Sequence, residues 1–122
     1  ESKGWGRIVT LGSVQQNRPS KQMIVYAASK AAQLNMVKNL AWQLGNKGIT
    51  INNLAPGVIG TVRNEEVLSN EVFKTKIEKN IPLGYIGEPD DLASMALLLC
   101  SEAGRYISGA DILVDGGMSL PE

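Results

Sequence analysis

Apolar residues along this chain follow two rhythms. Three short runs, Arg7 to Leu11, Ile49 to Leu54 and Asp111 to Val114, are β-branched or alternating and are bounded by glycine or turn residues, which predicts strands. Between them lie longer segments with helical spacing. Met23 to Leu44 predicts one long helix that stops near Gly45, with Gly48 as a second breaker. At about 100° per residue, Tyr26, Lys30, Val37, Leu40 and Leu44 share a face, while Ala28, Ala31, Asn35 and Trp42 point the other way. Both faces carry apolar groups, so this helix has two surfaces to bury, one on a sheet and one on a neighbouring element or subunit.

A second helix is expected from Pro89 to about Ser101. Its proline stands in the first turn and Asp90 and Asp91 lie near the positive end of the dipole. Ala93, Ala96, Leu97 and Cys100 are the expected buried face. Residues 62–80 are charged and lack a strong core stripe. They read as one or two short helices forming a mobile flap, with Ser69-Asn70-Glu71 as a cap and Lys74, Lys76 and Lys79 on a solvated face. Strand alternating with helix predicts an α/β fold with a doubly wound parallel sheet, of which three strands are readable.

Composition narrows the function. At 122 residues the chain is sized for one small domain. Twelve basic residues offset twelve acidic ones, so nothing in the charge favours nucleic acid or an anionic membrane. The longest apolar run, Met95 to Cys100, falls far short of the roughly 20 residues of a bilayer span. The absence of histidine removes the commonest catalytic base and zinc ligand, and no metal is expected. A lone cysteine, Cys100, makes no internal disulfide and reads as a small buried hydrophobe. A soluble, cytoplasmic protein is the expectation.

The candidate chemistry centres on Tyr26-Ala27-Ala28-Ser29-Lys30. A tyrosine and a lysine four apart on a helix project from one face, and the ammonium favours phenolate over phenol. A phenol so placed can pass a proton near neutral pH. Ser13 stands at the end of the first strand, after Gly12, where its hydroxyl would meet the sheet's carboxyl edge. The three together point to chemistry at a carbonyl. The polar loop that follows, Gln15-Gln16-Asn17-Arg18-Pro19-Ser20-Lys21, lies beside this site, and Gln15, Gln16 and Arg18 are candidates for substrate contact. An inward Arg18 would favour a carboxylate or phosphate on the substrate. Downstream, Ala55-Pro56-Gly57 turns the second strand sharply, and glycine there lets another group approach the backbone.

Ser13, then Tyr26 thirteen residues on, then Lys30, resembles the catalytic core of the short-chain dehydrogenase/reductase family. Asn53-Leu54-Ala55-Pro56-Gly57-Val58-Ile59-Gly60-Thr61 and Ser108-Gly109-Ala110-Asp111-Ile112-Leu113-Val114-Asp115-Gly116-Gly117 are similar to family segments, in the family's order. The resemblance covers nearly the whole chain. It implies an oxidoreductase that passes hydride between NAD or NADP and a small carbonyl or alcohol substrate. Ser13, Tyr26 and Lys30 would be catalytic. Tyr26 and Lys30 would also touch the cofactor, together with Pro56, Gly57, Thr61 and the backbone of Ile59. It also implies a homo-oligomer, commonly a tetramer, with the long helix in one interface. In family members the last strand lies at the sheet edge.

Residues 1–122 resemble the C-terminal half of a single Rossmann-like domain. The family's first half carries the glycine-rich pyrophosphate turn, the residue that separates NAD from NADP, and an asparagine of the proton relay, none of which is readable here. The polar opening Glu1 to Gly6 lacks methionine, and we expect the chain to belong to a longer polypeptide that supplies the missing half. The first strand would then have a bare outer edge. As this piece alone it is expected to be inactive, and the rival expectation is a non-catalytic oligomerisation or interaction module built on the same fold.

Overall fold

The computed structural model describes residues 4–18 and 20–121; the first half of the polar opening segment and Pro19 of the polar loop lie outside the described residues. Three strands form a parallel sheet in the order β1 (Gly6–Leu11), β2 (Ile49–Pro56), β3 (Asp111–Val114). Parallel strands need crossovers, and these are helical. α1 (Ile24–Leu44) links β1 to β2, and α2 (Glu65–Leu68), α3 (Glu71–Glu78) and α4 (Pro89–Cys100) lie between β2 and β3. The register aligns Gly6 with Ile49 and Leu11 with Leu54 on one side, and Asn53 with Asp111 on the other.

β2 is the centre of the molecule. It is buried from Ile49 through Ala55, as expected of a strand with neighbours on both sides and helices on both faces. Alternate residues face opposite ways. Thr10 and Asn53 face α1, where Gln33 meets Asn53, while Arg7 faces the end of α4, where it binds the Ser101 carbonyl and Glu102. Of the two faces of α1, the one that carries Val37 packs on the sheet, with Val37 fully buried and Leu34 nearly so. Its opposite face is open, and Trp42 is 91% exposed. The helix gives way near Gly45, as expected, to a single 3-10 turn over Gly45–Lys47.

Local signals place the remaining ends. Asn70 caps α3 by accepting from the Val72 and Phe73 N–H groups. Glu88 and Asp91 close a reciprocal capping box on α4, with Pro89 at its start.

The expected buried face of α4 is corrected. Ala93, Leu97 and Cys100 are exposed; Leu99 is fully buried, with Leu92, Met95 and Ala96 half-buried. The helix is apolar almost all round, so its pattern admitted two faces one step apart, and packing on β1 and β2 selected the Leu92-Met95-Ala96-Leu99 stripe. Cys100 consequently stands on the outer side rather than in the core. β1 is an edge strand in this sheet, with Ile8 and Leu11 exposed. Among the described residues no helix is long and apolar enough to cross a membrane.

Candidate active site

The carboxyl ends of β1 and β2 open into a cleft of about 640 Å³, within the size range of small-molecule sites. Chain direction explains what reaches it. β1 ends at Leu11, and the Gly12 N–H donates to the Leu54 carbonyl, which carries the ladder one step further and delivers Ser13 to the sheet's edge. Ser13 is extended and caps the 3-10 turn Val14–Gln16. Its hydroxyl oxygen accepts from the Gln15 N–H at 3.2 Å, and its own N–H donates to Gln16 Oε1 at 3.3 Å.

α1 then starts over the same edge, so that its first turns present Tyr26 and Lys30 to the cleft. Lys30 Nζ donates to the Leu11 carbonyl at 2.7 Å and lies 5.8 Å from the centre of the Tyr26 ring. That places a fixed positive charge at the limit of cation–π range from the phenol. The turn after β2 forms the facing wall with Pro56, Gly57, Ile59 and Thr61. Val67 and Leu68 of α2 and Ile77 of α3 close the apolar side, which is where the segment 62–80 meets the site.

Seven expected site residues besides Gln15 therefore share one cleft: Ser13, Tyr26, Lys30, Pro56, Gly57, Ile59 and Thr61. Gln15 lines it too, and its Oε1 is buried without a hydrogen-bond partner among the described residues, an acceptor beside Ser13. Arg18 is placed elsewhere: its guanidinium donates to the Met118 carbonyl at 2.9 Å, tying the polar loop to the segment after β3 instead of lining the cleft. Gln16 is likewise outside the cleft lining, turned back onto Asp111.

Gly57 has a reason that sequence reading did not supply. A Cβ there would lie 2.8 Å from the Asp115 Cα, so the group approaching its backbone is the end of β3. Asp115 is itself organised by the turn that follows. Its partial burial pushes the carboxyl up, but hydrogen bonds from the Ser119 hydroxyl and from the Gly117 and Ser119 N–H groups outweigh this and hold it below the usual carboxylate range. A carboxyl whose folded value is depressed contributes stability that is fully present above its unfolded pKa of about 3.9 and lost as pH falls through the folded value. In urea unfolding, Asp115→Asn is therefore expected to be less stable than the parent above about pH 5, with the difference shrinking as the pH falls below the ordinary carboxylate value of about 3.9. Parallel curves at all pH values would show that the carboxylate charge contributes nothing.

Sequence reading missed a buried polar cluster beside Ser13. Asn53 is fully buried on β2, and its side chain meets Thr10, Gln16, Gln33 and Asp111. The signal was present in the Asn52-Asn53 pair, two amides inside a strand that is otherwise apolar and buried, where every polar group must find a partner. Asn52 turns to the opposite face and is satisfied by the Ile107 carbonyl and the Ala110 N–H.

An open parallel sheet flanked by helices, with a cleft at its carboxyl edge, is the Rossmann-like α/β arrangement, in which ligands bind at that edge. The comparisons with known proteins make this specific. A family model described as enoyl-(acyl carrier protein) reductase matches residues 1–119. The 3beta-hydroxysteroid dehydrogenase 1 of Eggerthella lenta is 38% identical over 115 residues, which is 94% of this chain and 44% of that protein. Among solved structures, a gluconate 5-dehydrogenase from Burkholderia cenocepacia in complex with NADP and tartrate superposes with a TM-score of 0.93 at 30% identity, covering 99% of this chain and 48% of the other. A 4-hydroxyisoleucine dehydrogenase mutant complexed with NADH and succinate gives a TM-score of 0.94 at 32% identity, covering 99% of this chain and 50% of that one. The chain belongs to the short-chain dehydrogenase/reductase family, and it spans about half the length of the relatives it matches. The cofactors bound in these two solved relatives are NADP and NADH.

Proposed function

We propose that residues 1–122 supply the proton-handling half of an NAD(P)-dependent dehydrogenase or reductase acting on a carbonyl or alcohol carbon. The observation that carries this reading is the convergence of Ser13, Tyr26 and Lys30 on one cleft that the Pro56–Thr61 turn also lines.

The residues present fit a nicotinamide. The Ile59 carbonyl is already taken by Asn64 Nδ2 at 2.8 Å, while its N–H has no partner among the described residues and is available to a carboxamide oxygen. When bound, the nicotinamide gives or takes the hydride. Ser13 holds the substrate oxygen by its hydroxyl, Tyr26 passes that oxygen its proton, and the Lys30 ammonium steadies the negative charge that Tyr26 bears after the transfer. Lys30 reaches a cofactor ribose only by sharing or leaving the Leu11 carbonyl. Thr61 would hold the carboxamide or a phosphate.

The same reading makes this piece inactive by itself, because the pyrophosphate turn expected of the family lies outside it. Titration with NADH or NADPH, followed by nicotinamide fluorescence, tests this. The isolated segment is expected to bind weakly or not at all, and the complete polypeptide to bind normally. Micromolar binding by the segment alone would overturn the assignment of the missing half.

For substrate we favour a small polar molecule, a sugar or hydroxy acid, on the strength of the unpartnered Gln15 acceptor beside Ser13 and of relatives such as the gluconate 5-dehydrogenase. A 3-oxoacyl thioester is the alternative, and a panel of alcohols with both cofactors would separate them. A second reading, an assembly module without catalysis, draws on the outer face of α1, where Ile24, Val25 and Trp42 are all more than 70% exposed. A surface of this kind is what a subunit contact covers. It accords with a homo-oligomer, a tetramer by family analogy, and does not compete with catalysis by the complete protein.

A further inference from the structure

The cluster behind Ser13 does more than satisfy a buried strand. Among the described residues, the hydrogen-bond partners of Asp111, the first residue of β3, are all amide donors. Its two oxygens accept from Gln16 Nε2 at 2.8 and 2.7 Å, from Asn53 Nδ2 at 2.8 Å and from Asn17 Nδ2 at 3.2 Å. Each of those donors leads onward. Gln16 returns its Oε1 to the Ser13 N–H, completing the turn that orients the Ser13 hydroxyl. Asn53 returns its Oδ1 to Gln33 Nε2, which also donates to the Leu11 carbonyl at 2.9 Å, the same oxygen that holds Lys30. Thr10 donates to that Asn53 oxygen as well.

We infer that Asp111 is a positioning residue for the active site: through Gln16 it sets Ser13, and through Asn53 and Gln33 it sets the carbonyl that anchors Lys30. The inference rests on the proposed Ser13-Tyr26-Lys30 chemistry.

Two physical points carry it. First, a carboxylate is the one side chain of this length that is acceptor on both oxygens, and here its hydrogen-bond partners among the described residues are all N–H donors. An asparagine would turn an NH2 group onto another NH2 group at one of these contacts. Second, the chain keeps Gly12 beside the cluster, where a Cβ would come within 2.2 Å of Asn53 Nδ2 and 2.7 Å of Gln16 Oε1. The two amides thus fill the space against the backbone immediately before Ser13, so a shift in either is transmitted to Ser13. Misplacement of a reacting group by about 1 Å can cost around a hundredfold in rate.

The test uses the complete polypeptide and compares Asp111→Asn, Gln16→Met, the double exchange Gln16→Glu with Asp111→Asn, and Tyr26→Phe. The double exchange restores the pairing between positions 16 and 111 with its polarity reversed: the carboxylate at position 16 accepts from Ser13 N–H, from Asn53 and from the new amide, whose NH2 then opposes only Asn17 Nδ2, the longest and an exposed contact at 3.2 Å. Asp111→Asn and Gln16→Met are each expected to lower kcat about tenfold or more while leaving NADPH affinity within threefold. The double exchange should recover most of the loss, a coupling that a general destabilisation would not produce. If Asp111→Asn does not fold, Gln16→Met and the double exchange carry the same test. Near-parental kcat in Asp111→Asn or Gln16→Met, or a double exchange no better than the single variants, overturns the positioning role. Tyr26→Phe keeps the two ideas apart. If it abolishes turnover while the Asp111 and Gln16 variants do not, only this inference fails; if it leaves turnover intact, the reading beneath it fails.

Discussion

In the complete polypeptide, Tyr26→Phe is expected to lower turnover by about a hundredfold or more, the order lost with general acid–base catalysis. The substitution keeps the ring and removes one oxygen and its proton. Tyr26 is half-buried on the first turns of α1, and no described hydrogen bond of its hydroxyl supports the fold. Lys30 keeps its bond to the Leu11 carbonyl, and the ring remains available beneath its charge. Stability and NADPH affinity are therefore expected to change little, so the loss should appear in kcat. Steady-state kinetics with a fluorescence titration of the cofactor reads both quantities. Turnover within a few-fold of the parent would refute the role assigned to the phenol.

Gly12→Ala should produce the largest loss of stability among the substitutions considered. The added methyl would meet Asn53 Nδ2 at 2.2 Å and Gln16 Oε1 at 2.7 Å, and neither group is free to swing aside. Asn53 is fully buried and held by Thr10, Gln33 and Asp111, and Gln16 is held by Asp111. Overpacking together with the strain on these buried bonds is expected to cost about 2–4 kcal/mol. For a chain of this length that lowers Tm by roughly 10 °C. Gly45→Ala is the control. Gly45 has helical backbone angles, and an added methyl meets nothing within 4 Å among the described residues. That change should be neutral or stabilise by up to about 1 kcal/mol. A Gly12→Ala protein that melts within about 2 °C of the parent would mean that the Asn53 and Gln16 amides are not fixed as the structure places them.

Much of the fold was legible because its signals are local. The β-branched runs at Ile8 and Ile51, Pro89 at the start of α4 and Asn70 before α3 act within a few residues of themselves, and their elements form where expected. The same holds for the pairing of Tyr26 with Lys30, one helical turn apart, and for Ser13 at the end of a strand. Where a helix is apolar almost all round, the pattern stops deciding. α4 shows this: its sequence allowed the Ala93-Leu97-Cys100 face as readily as the one used, and contact with β1 and β2 made the choice.

Partners far apart in the chain were hidden for a different reason. Gln16 and Asp111 are 95 residues apart, and Arg18 and Met118 are 100 apart, so no spacing rule joins them. Nor does the Pro56-Gly57 dipeptide reveal that Asp115 is what crowds it. By itself, then, the sequence determined which segments are strands and helices and which side chains can handle a proton, since those follow from backbone preference and intrinsic chemistry. Only the tertiary structure decided which faces are buried, which residues share the cleft and what holds Ser13 in place, because burial and hydrogen-bond pairing are properties of groups that the sheet brings together.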